Sequence, residues 1–326
     1  MNNQEVKQTE NKAFIVGVLK KKEIEFKPTK TTGKLRASGY LTLVIDTTVG
    51  KGEVKVRVDQ YAEKKDGGAN SLYKALQTVA QQYKSIEEVG ENGVADTIKI
   101  EGSLNDETYY STKKEEFVEK LELKALFINR VDASTPHCCK VVFEGRISNI
   151  TPIGSELEVE TIGIGYEGVA VPIKAIIPQH LVAAFQGRYN VGCTTTLNIA
   201  IINEVTTKVL QEEVGFGEGI GEVIETYTTK RTIFGGGTPK FEGVPGAISL
   251  ETTKQGIAIR EQKLQEKKDN AIKNSQGGAT MDAGFGGVNP GGFNTGAGMM
   301  PGGFNTGMGM PGGFGSFPQG TPGFAN

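Results

Sequence analysis

Cations and an aromatic side chain recur at even spacing in one short segment of this chain. Between residues 53 and 61, Lys55 and Arg57 are two positions apart and Tyr61 lies four positions further on. Because residues at even spacing point to one face of a β-strand, all three would share a surface. Cations displace the counterions of phosphate groups, and exposed aromatic rings stack on bases. The segment therefore predicts a surface that binds a flexible nucleic-acid strand.

Similar combinations of cations and aromatic residues recur along the first half of the chain. Three consecutive lysines follow the first predicted strand, further cations lie in the next loop, and a later charged hairpin carries two tyrosines. The predicted binding residues of this half are Lys20, Lys21, Lys22, Lys34, Arg36, Tyr40, Lys55, Arg57, Tyr61, Tyr109, Tyr110, Lys113, Lys114 and Phe117. Any one of them, taken alone, is more typical of a solvated sheet face, so the prediction depends on the whole set.

A comparable set of cations and aromatic residues lies in the second half. Its predicted binding residues are Arg146, Tyr166, Arg188, Tyr189, Lys230 and Arg231, with Tyr227 and Phe234 beside them. This set predicts that the second half also contacts nucleic acid.

Patterns that indicate catalysis or metal binding are sparse. The two histidines, His137 and His180, have no nucleophile or base motif at a useful spacing. Gly50 and Lys51 lack the remaining residues of a phosphate-binding loop, and the adjacent Cys138 and Cys139 lack the gap of a zinc chelate. We therefore expect no enzymatic activity, no cofactor and no metal.

The composition favours a protein of the cytoplasm. A net charge of -2 argues against a histone-like polycation but allows a local basic groove. Three cysteines make no disulfide framework and indicate a reducing compartment. The first residues, MNNQEVKQTENK, have no apolar core of a signal peptide, and no stretch is long enough to span a membrane. We expect no membrane partner.

The elements that would position these residues follow the order of three strands, one helix and two strands. β-Branched residues alternate in residues 13–19, 40–46 and 53–61, and strand patterns return at 97–104 and 120–131. Between them, residues 69–86 repeat apolar side chains at helical spacing. This order is that of an OB-fold, a small Greek-key barrel that binds oligonucleotides.

The order repeats from Lys140 onward, although the two halves share little sequence identity. The predicted fold class is all-β with short helices, in tandem OB-fold-like five-stranded barrels followed by a disordered C-terminal tail. The predicted divisions are a flexible N-terminus (1–12), two OB-fold-like domains (13–133 and 138–240), a linker with a solvated helix (241–275) and the tail (276–326).

The tail is rich in glycine, phenylalanine, proline and methionine, and it repeats the phrase PGGF from Pro290, Pro301 and Pro311. Glycine at this density leaves too much backbone entropy and too little apolar surface for a packed core, so the sequence predicts disorder. Phe293, Phe304 and Phe314 are evenly spaced in a glycine background, which is typical of residues that make weak contacts between neighbouring molecules. Self-association and an inert spacer both remain open for this segment.

Three segments of the first half resemble the bacterial and phage single-stranded DNA-binding protein family. They are NKAFIVGVLKKKEIEF, VKVRVDQYAEK and IKIEGSLNDETYYSTKKEEFVEKLELKALFINRV, which match the opening, third and last two strands of that family. The resemblance covers residues 12–131 and implies an OB-fold protein that coats and protects single-stranded DNA in replication or recombination. Divergence from the cellular pattern suggests a phage origin.

Two departures from that family affect what the resemblance implies. The chain has no tryptophan, so tyrosine and phenylalanine would take over base stacking. The sequence ends QGTPGFAN, without the acidic tip through which family members recruit replication proteins, so recruitment through the tail is in doubt. Two other functions remain open: an assembly protein that self-associates through its tail, and an RNA-binding OB-fold protein.

Overall fold

The first five long strands close into a barrel through their backbone pairing. The computed structural model describes residues 7–29, 32–90, 93–210 and 222–277. The elements of barrel 1 are β1 (Asn11–Pro28), β2 (Leu35–Thr47), β3 (Gly50–Tyr61), α1 (Ser71–Gln82), α2 (Ile86–Val89), β4 (Thr97–Asp106), β5 (Tyr109–Ser111), β6 (Glu116–Val118) and β7 (Leu121–Val131). The ring runs β1–β2–β3–β7–β4 and returns to β1, with β3 and β7 as its parallel pair.

The second half forms another barrel with the same connectivity. Its elements are β8 (Cys138–Ile153), β9 (Glu156–Ile164), a 3-10 turn (Tyr166–Gly168), β10 (Ala170–Ile177), α3 (Gln179–Gln186), β11 (Thr194–Leu210) and β12 (Glu222–Gly236). The ring runs β8–β9–β10–β12–β11 and returns to β8, with β10 and β12 parallel. The predicted class, all-β with short helices in two OB-fold-like barrels, is confirmed.

The two barrels share a sheet and a core. The first residues of β1 pair antiparallel with β8, so that Ala13 lies opposite Val141. Buried side chains of both barrels, among them Ile15, Phe143 and Ile199, belong to one continuous hydrophobic cluster. The division into domains 13–133 and 138–240 therefore stays a prediction about independent folding.

Beyond barrel 2, strands β11 and β12 continue as a two-stranded arm, residues 203–210 of β11 and 222–229 of β12, that reaches barrel 1. Asn203 of β11 pairs with Glu53 of β3. A Cβ atom on the neighbouring Gly52 would lie 2.3 Å from the carbonyl oxygen of Asn203, so only glycine allows this close approach. The arm is thus seated on the β2–β3 end of barrel 1.

The C-terminal helix α4 (Leu250–Gly277) differs from the solvated helix that the sequence predicts. Its Arg260 pairs with Asp106 of barrel 1 at 2.7 Å, and Lys267 donates to the carbonyl oxygen of Thr108 at 2.8 Å. Gly256 lies against Gly168 and Ile164 of barrel 2, where a Cβ atom would be only 3.0 Å from each. Helix α4 is therefore a strap across both barrels, because part of its charge is used in pairing with them.

Several sequence predictions lie outside the described residues. These are the first half of the flexible N-terminus, residues 1–6, and the glycine-rich tail from residue 278 onward. Within the described parts of the chain, every helix is too short or too polar to span a bilayer.

The ion pair between Arg260 and Asp106 provides a test of the α4 strap. Burial alone would raise the pKa of the Asp106 carboxyl, but hydrogen bonds from Arg260 and Thr108 outweigh burial and hold the pKa below its ordinary value of 3.8. A carboxyl with a lowered pKa stabilises the fold above its unfolded-state pKa. That contribution is lost as the pH falls through the folded-state pKa.

We expect Arg260→Gln to lower the free energy of unfolding by about 1–3 kcal/mol at pH 7, because it leaves a largely buried carboxylate without its cation. The deficit should shrink as the pH falls below about 4, the ordinary pKa of an aspartate in the unfolded chain, and on through the lower folded-state pKa of Asp106. Urea unfolding followed by circular dichroism between pH 7 and pH 3 measures both effects, and Lys254→Gln on the exposed side of α4 is the matched control. An unchanged stability at pH 7 contradicts the strap.

Candidate nucleic-acid interface

The outer surface of β1, β2 and β3 in barrel 1 carries the residues that the sequence singled out. Apolar residues such as Leu41, Leu43 and Val56 point inward and are buried, so the alternate positions point outward. The strand register arranges the outward residues in cross-strand rows: Lys27–Arg36–Tyr61, Glu25–Ser38–Asp59, Glu23–Tyr40–Arg57 and Lys21–Thr42–Lys55. We call these rows the β1–β2–β3 face.

A bulge in β1 adds a further lysine at one end of this face. The pairing of β1 with β2 shifts between Leu19 and Lys21, which leaves Lys20 as the extra residue. Lys20 forms an ion pair with Glu53, and the hydrogen bond to this carboxylate raises the pKa of the Lys20 ammonium. Lys21 stays more exposed, with Glu23 at 3.2 Å. The bulge therefore allows two consecutive lysines to face the same side.

Tyr40 lies in the middle of the face and is held from two directions. Its hydroxyl donates to the Glu122 carboxylate of β7 at 2.8 Å. The Lys55 ammonium lies over its ring, 4.4 Å from the centroid, as in a cation–π contact. The ring therefore has a fixed orientation before any ligand arrives.

Carboxylates neutralise both arginines of the face. Arg36 forms two hydrogen bonds of 2.6 Å to Asp59, and Arg57 contacts Glu122 at 2.9 Å. Burial would raise the pKa of Glu122, but hydrogen bonds from Lys120, Arg57 and Tyr40 outweigh burial and lower it. The guanidinium groups thus hold the face together, and its exposed cations are chiefly lysines.

Tyr61 completes the aromatic part of the face at its other end. Its ring is 43 % exposed and lies beside the Arg36 guanidinium, 5.6 Å from ring centroid to the central guanidinium carbon. Arg36 is anchored on Asp59, so Tyr61 is supported on one side and open on the other. The structure therefore brings Lys55, Arg57 and Tyr61 to one surface, together with Arg36 and Tyr40.

The hairpin β5–β6 forms a second aromatic and basic cluster beside the face. Tyr110 and Phe117 meet edge to face, with ring centroids 5.3 Å apart. Tyr109, Lys113 and Lys114 are exposed around them. Glu107 at the base of the hairpin lies 3.6 Å from Arg57, so the cluster begins at the edge of the β1–β2–β3 face. Lys34, at the entry to β2, is exposed at the opposite end.

Three predicted binding residues have structural partners instead, and we remove them from the interface. The Lys22 ammonium is buried, donates to the carbonyl oxygens of Ala80 and Tyr83, and pairs with Glu88. It therefore caps the C-terminal end of α1. A charge on a strand looks the same in sequence whether it faces water or a helix end, which is why the prediction included it.

The other two removed residues lie in barrel 2. Arg146 is buried and donates to the carbonyl oxygen of Ile248 at 3.1 Å and to Glu242 at 3.2 Å. The Tyr189 ring stacks on Phe185, with centroids 4.7 Å apart, and its hydroxyl donates to the carbonyl oxygen of Gly237. Both residues stabilise the loops that follow α3 and β12.

The remaining predicted residues of barrel 2 are dispersed. Tyr166 is 74 % exposed in the 3-10 turn, Arg188 lies beside an apolar groove at the end of α3, and Lys230 pairs with Glu204 on the arm. Arg231 lines a cavity of about 280 Å³ between the barrels and α4. Burial lowers the pKa of Arg231, and its Nε has no hydrogen-bond partner among the described residues. These residues do not form a second continuous face.

The sequence analysis placed neither of two important residues in this region. The Glu122 carboxylate contacts Tyr40, Arg57 and Lys120. The alternating charges of β7 do not show which strands lie beside β7, so the sequence does not predict these contacts. Tyr227, which had been set beside the predicted residues of the second half, lies on the arm facing barrel 1. Only the packing of the two barrels brings it there.

The described residues contain no group of three or more histidine, cysteine or acidic side chains that could hold a metal ion. Burial raises the pKa of the Cys139 thiol to about 12, which keeps it protonated at neutral pH. Cys138 and Cys193 are also free thiols with raised pKa values caused by burial.

The chain matches the YorF family over residues 9–270 and belongs to that family. No curated protein matches it significantly. Among solved structures it is similar to the wild-type single-stranded DNA-binding protein from Thermus aquaticus, at 11 % identity over 74 % of this chain and 98 % of that one, with a TM-score of 0.45. A deletion mutant of the same protein gives 12 % identity over 73 % and 98 % of the two chains, with a TM-score of 0.46. At these TM-scores neither likeness bears on function, and the assignment of the barrels rests on their strand order.

Lys21 and Lys22 are consecutive in sequence but have different surroundings, so their substitution should have different effects. We expect Lys22→Met to lower the free energy of unfolding by about 1–3 kcal/mol, because the carbonyl groups at the end of α1 lose their donor. Oligonucleotide affinity should stay within about twofold of wild type, a change of less than 0.5 kcal/mol. The more exposed neighbour Lys21 gives the matched variant Lys21→Met, which should leave stability unchanged and weaken binding. Urea unfolding and oligonucleotide titration of both variants measure this, and the reverse pattern contradicts the assignment.

Proposed function

We propose that this member of the YorF family binds single-stranded DNA on the β1–β2–β3 face of barrel 1. The observation that carries this proposal is the row arrangement of the face, in which Tyr40 and Tyr61 share the outside of a closed barrel with Lys21, Lys27 and Lys55. Lysine ammonium groups suit the phosphates of a flexible strand, and the tyrosine rings suit its bases. The protein would act by binding, without a catalytic step.

The charge pairing on the face supports binding with little sequence preference. Arg36 and Arg57 are engaged by carboxylates, so they are not free to read base edges by bidentate hydrogen bonds. Stacking on tyrosine tolerates every base, because each base has a π-face. This fits a protein that coats and protects single strands, as in replication or recombination.

The same pairing indicates a moderate salt dependence. Lys21, Lys27 and Lys55 are the most exposed cations of the rows. If about three or four lysines contact phosphates, the logarithm of the binding constant should fall with the logarithm of salt concentration with a slope of about -2 to -3. A count of every cation in the predicted set would give a much steeper slope.

Other parts of the sequence-based account stay predictions. They are the phage origin, the cytoplasmic location, and contacts with replication proteins or other copies through the tail. RNA binding is an outcome of the titration below, because the face as described has no feature that selects for or against a 2′-hydroxyl group.

The double variant Lys55→Ala/Tyr61→Ala tests the proposed face. It removes one exposed cation and one open aromatic ring but keeps Arg57, whose loss would remove one of the hydrogen-bond donors of the buried Glu122 carboxylate. We expect affinity for an oligo-dT strand to fall by about tenfold or more, since one stacked base contributes about 1–3 kcal/mol. Fluorescence anisotropy at several salt concentrations, with oligo-dT, oligo-U and duplex DNA, gives the affinities.

Lys99→Ala is the matched control, because Lys99 is a half-buried lysine on β4, outside the face, with a carboxylate neighbour like that of Lys21. Its affinity should equal that of wild type. Unchanged affinity of the double variant, with the circular dichroism spectrum preserved, contradicts the proposed face. Tighter binding to oligo-U than to oligo-dT would favour an RNA-binding function instead.

A further inference from the structure

The arm of barrel 2 lies opposite the lysine end of the β1–β2–β3 face. The arm comprises residues 203–210 of β11 and residues 222–229 of β12. Within it, Val205 pairs with Tyr227. The contact between Asn203 and β3 fixes the arm on barrel 1, and it depends on the missing side chain of Gly52. The arm is therefore a second wall beside the face.

A cavity of about 640 Å³ lies between these two walls. On the barrel 1 side its lining includes Lys20, Lys21 and Lys55, and on the arm side it includes Glu225 and Tyr227. Its volume falls within the range of about 300–1,000 Å³ that is common for ligand sites. One wall thus offers three ammonium groups among three carboxylates, and the other offers an aromatic ring beside one carboxylate.

The cavity continues the face. Its floor contains the row Lys21–Thr42–Lys55 and reaches Glu23 of the next row, whose central residue is Tyr40. A strand that crosses the rows from Tyr61 past Tyr40 would therefore enter the space beneath the arm. No turn of the strand is required between the two parts.

The Tyr227 side chain is available to a ligand in this space. It is 51 % exposed, and its only described hydrogen bond is donated by the hydroxyl to Glu225 at 2.5 Å. That bond anchors the edge of the ring and leaves its π-faces uncovered by any aromatic or cationic group among the described residues. Tyr40, in contrast, already carries Lys55 on one face.

We infer that the arm of barrel 2 covers a single strand bound to barrel 1, with Tyr227 stacking on a base of a strand whose phosphates contact Lys21 or Lys55. The inference rests on the proposed function and adds a binding residue from the other barrel. Glu225 keeps the tyrosine in place, and the exposed carboxylate of Glu23 releases Lys21 and Lys55 to phosphate when the strand enters. The two barrels then form one binding site.

A tryptophan in place of Tyr227 tests this arrangement, because the chain contains no other tryptophan. In the full-length Tyr227→Trp variant, emission should be quenched as oligo-dT is added, in step with the anisotropy of the labelled strand. The control is Phe241→Trp, an exposed aromatic position in the loop after β12, whose emission should stay unchanged. Tyr227→Ala should lower affinity about fivefold or more, whereas Tyr227→Phe should lose less than twofold.

Two results would overturn the inference, and they are distinguishable. Binding of oligo-dT without quenching at position 227, together with unchanged affinity of Tyr227→Ala, removes the arm from the site but leaves the proposed function standing. Absence of binding by the wild-type protein at low salt removes the proposed function and the arm contact with it. Circular dichroism of each variant establishes that its fold is intact.

Discussion

The hydrogen bonding of strand β1 is the constraint on which the rest of the structure depends. One edge of its first half pairs with β8 of barrel 2, the other edge pairs with β4, and its second half pairs with β2. Because backbone donors and acceptors must be satisfied inside a fold, this strand determines how the barrels meet. The same strand carries Lys20 and Lys21 through its bulge. The position of the arm over the face therefore follows from the pairing of β1 with β8 and from the close approach at Gly52.

Charge compensation gives the β1–β2–β3 face its character. A surface of unpaired cations would bind any polyanion, but Glu122 and Asp59 engage the arginines and leave lysines and tyrosines as the available groups. Burial alone would raise the pKa of each carboxyl, but its hydrogen-bonded cations outweigh burial and lower the pKa, so both carboxylates stay ionised. The rings of Tyr40 and Tyr61 are thereby oriented in advance, which reduces the entropy lost when a base stacks on them.

Local sequence patterns predict much of this arrangement, but they cannot predict contacts between residues that are distant in sequence. Alternation of apolar and polar residues predicts the strands, and it correctly places Lys55, Arg57 and Tyr61 on one surface, because a strand has a period of two. Lys22 and Arg146 follow the same alternation, yet their charges meet a helix end and a loop carbonyl that are distant in sequence. Helix α4 likewise has the sequence of a solvated helix, because ion pairs with a barrel and contacts with water need the same charged residue types. Tyr227 comes to the face only through tertiary packing.

The central claim is that a single strand lies on the β1–β2–β3 face and passes beneath the arm. Ultraviolet cross-linking of oligo-dT to the full-length protein, with the modified peptides identified by mass spectrometry, tests it most directly. The account predicts adducts at Tyr40, Tyr61 and Tyr227, with none at Tyr166 despite its greater exposure. Cross-links confined to Tyr166 or to the hairpin tyrosines, from a protein that binds the strand, would contradict it.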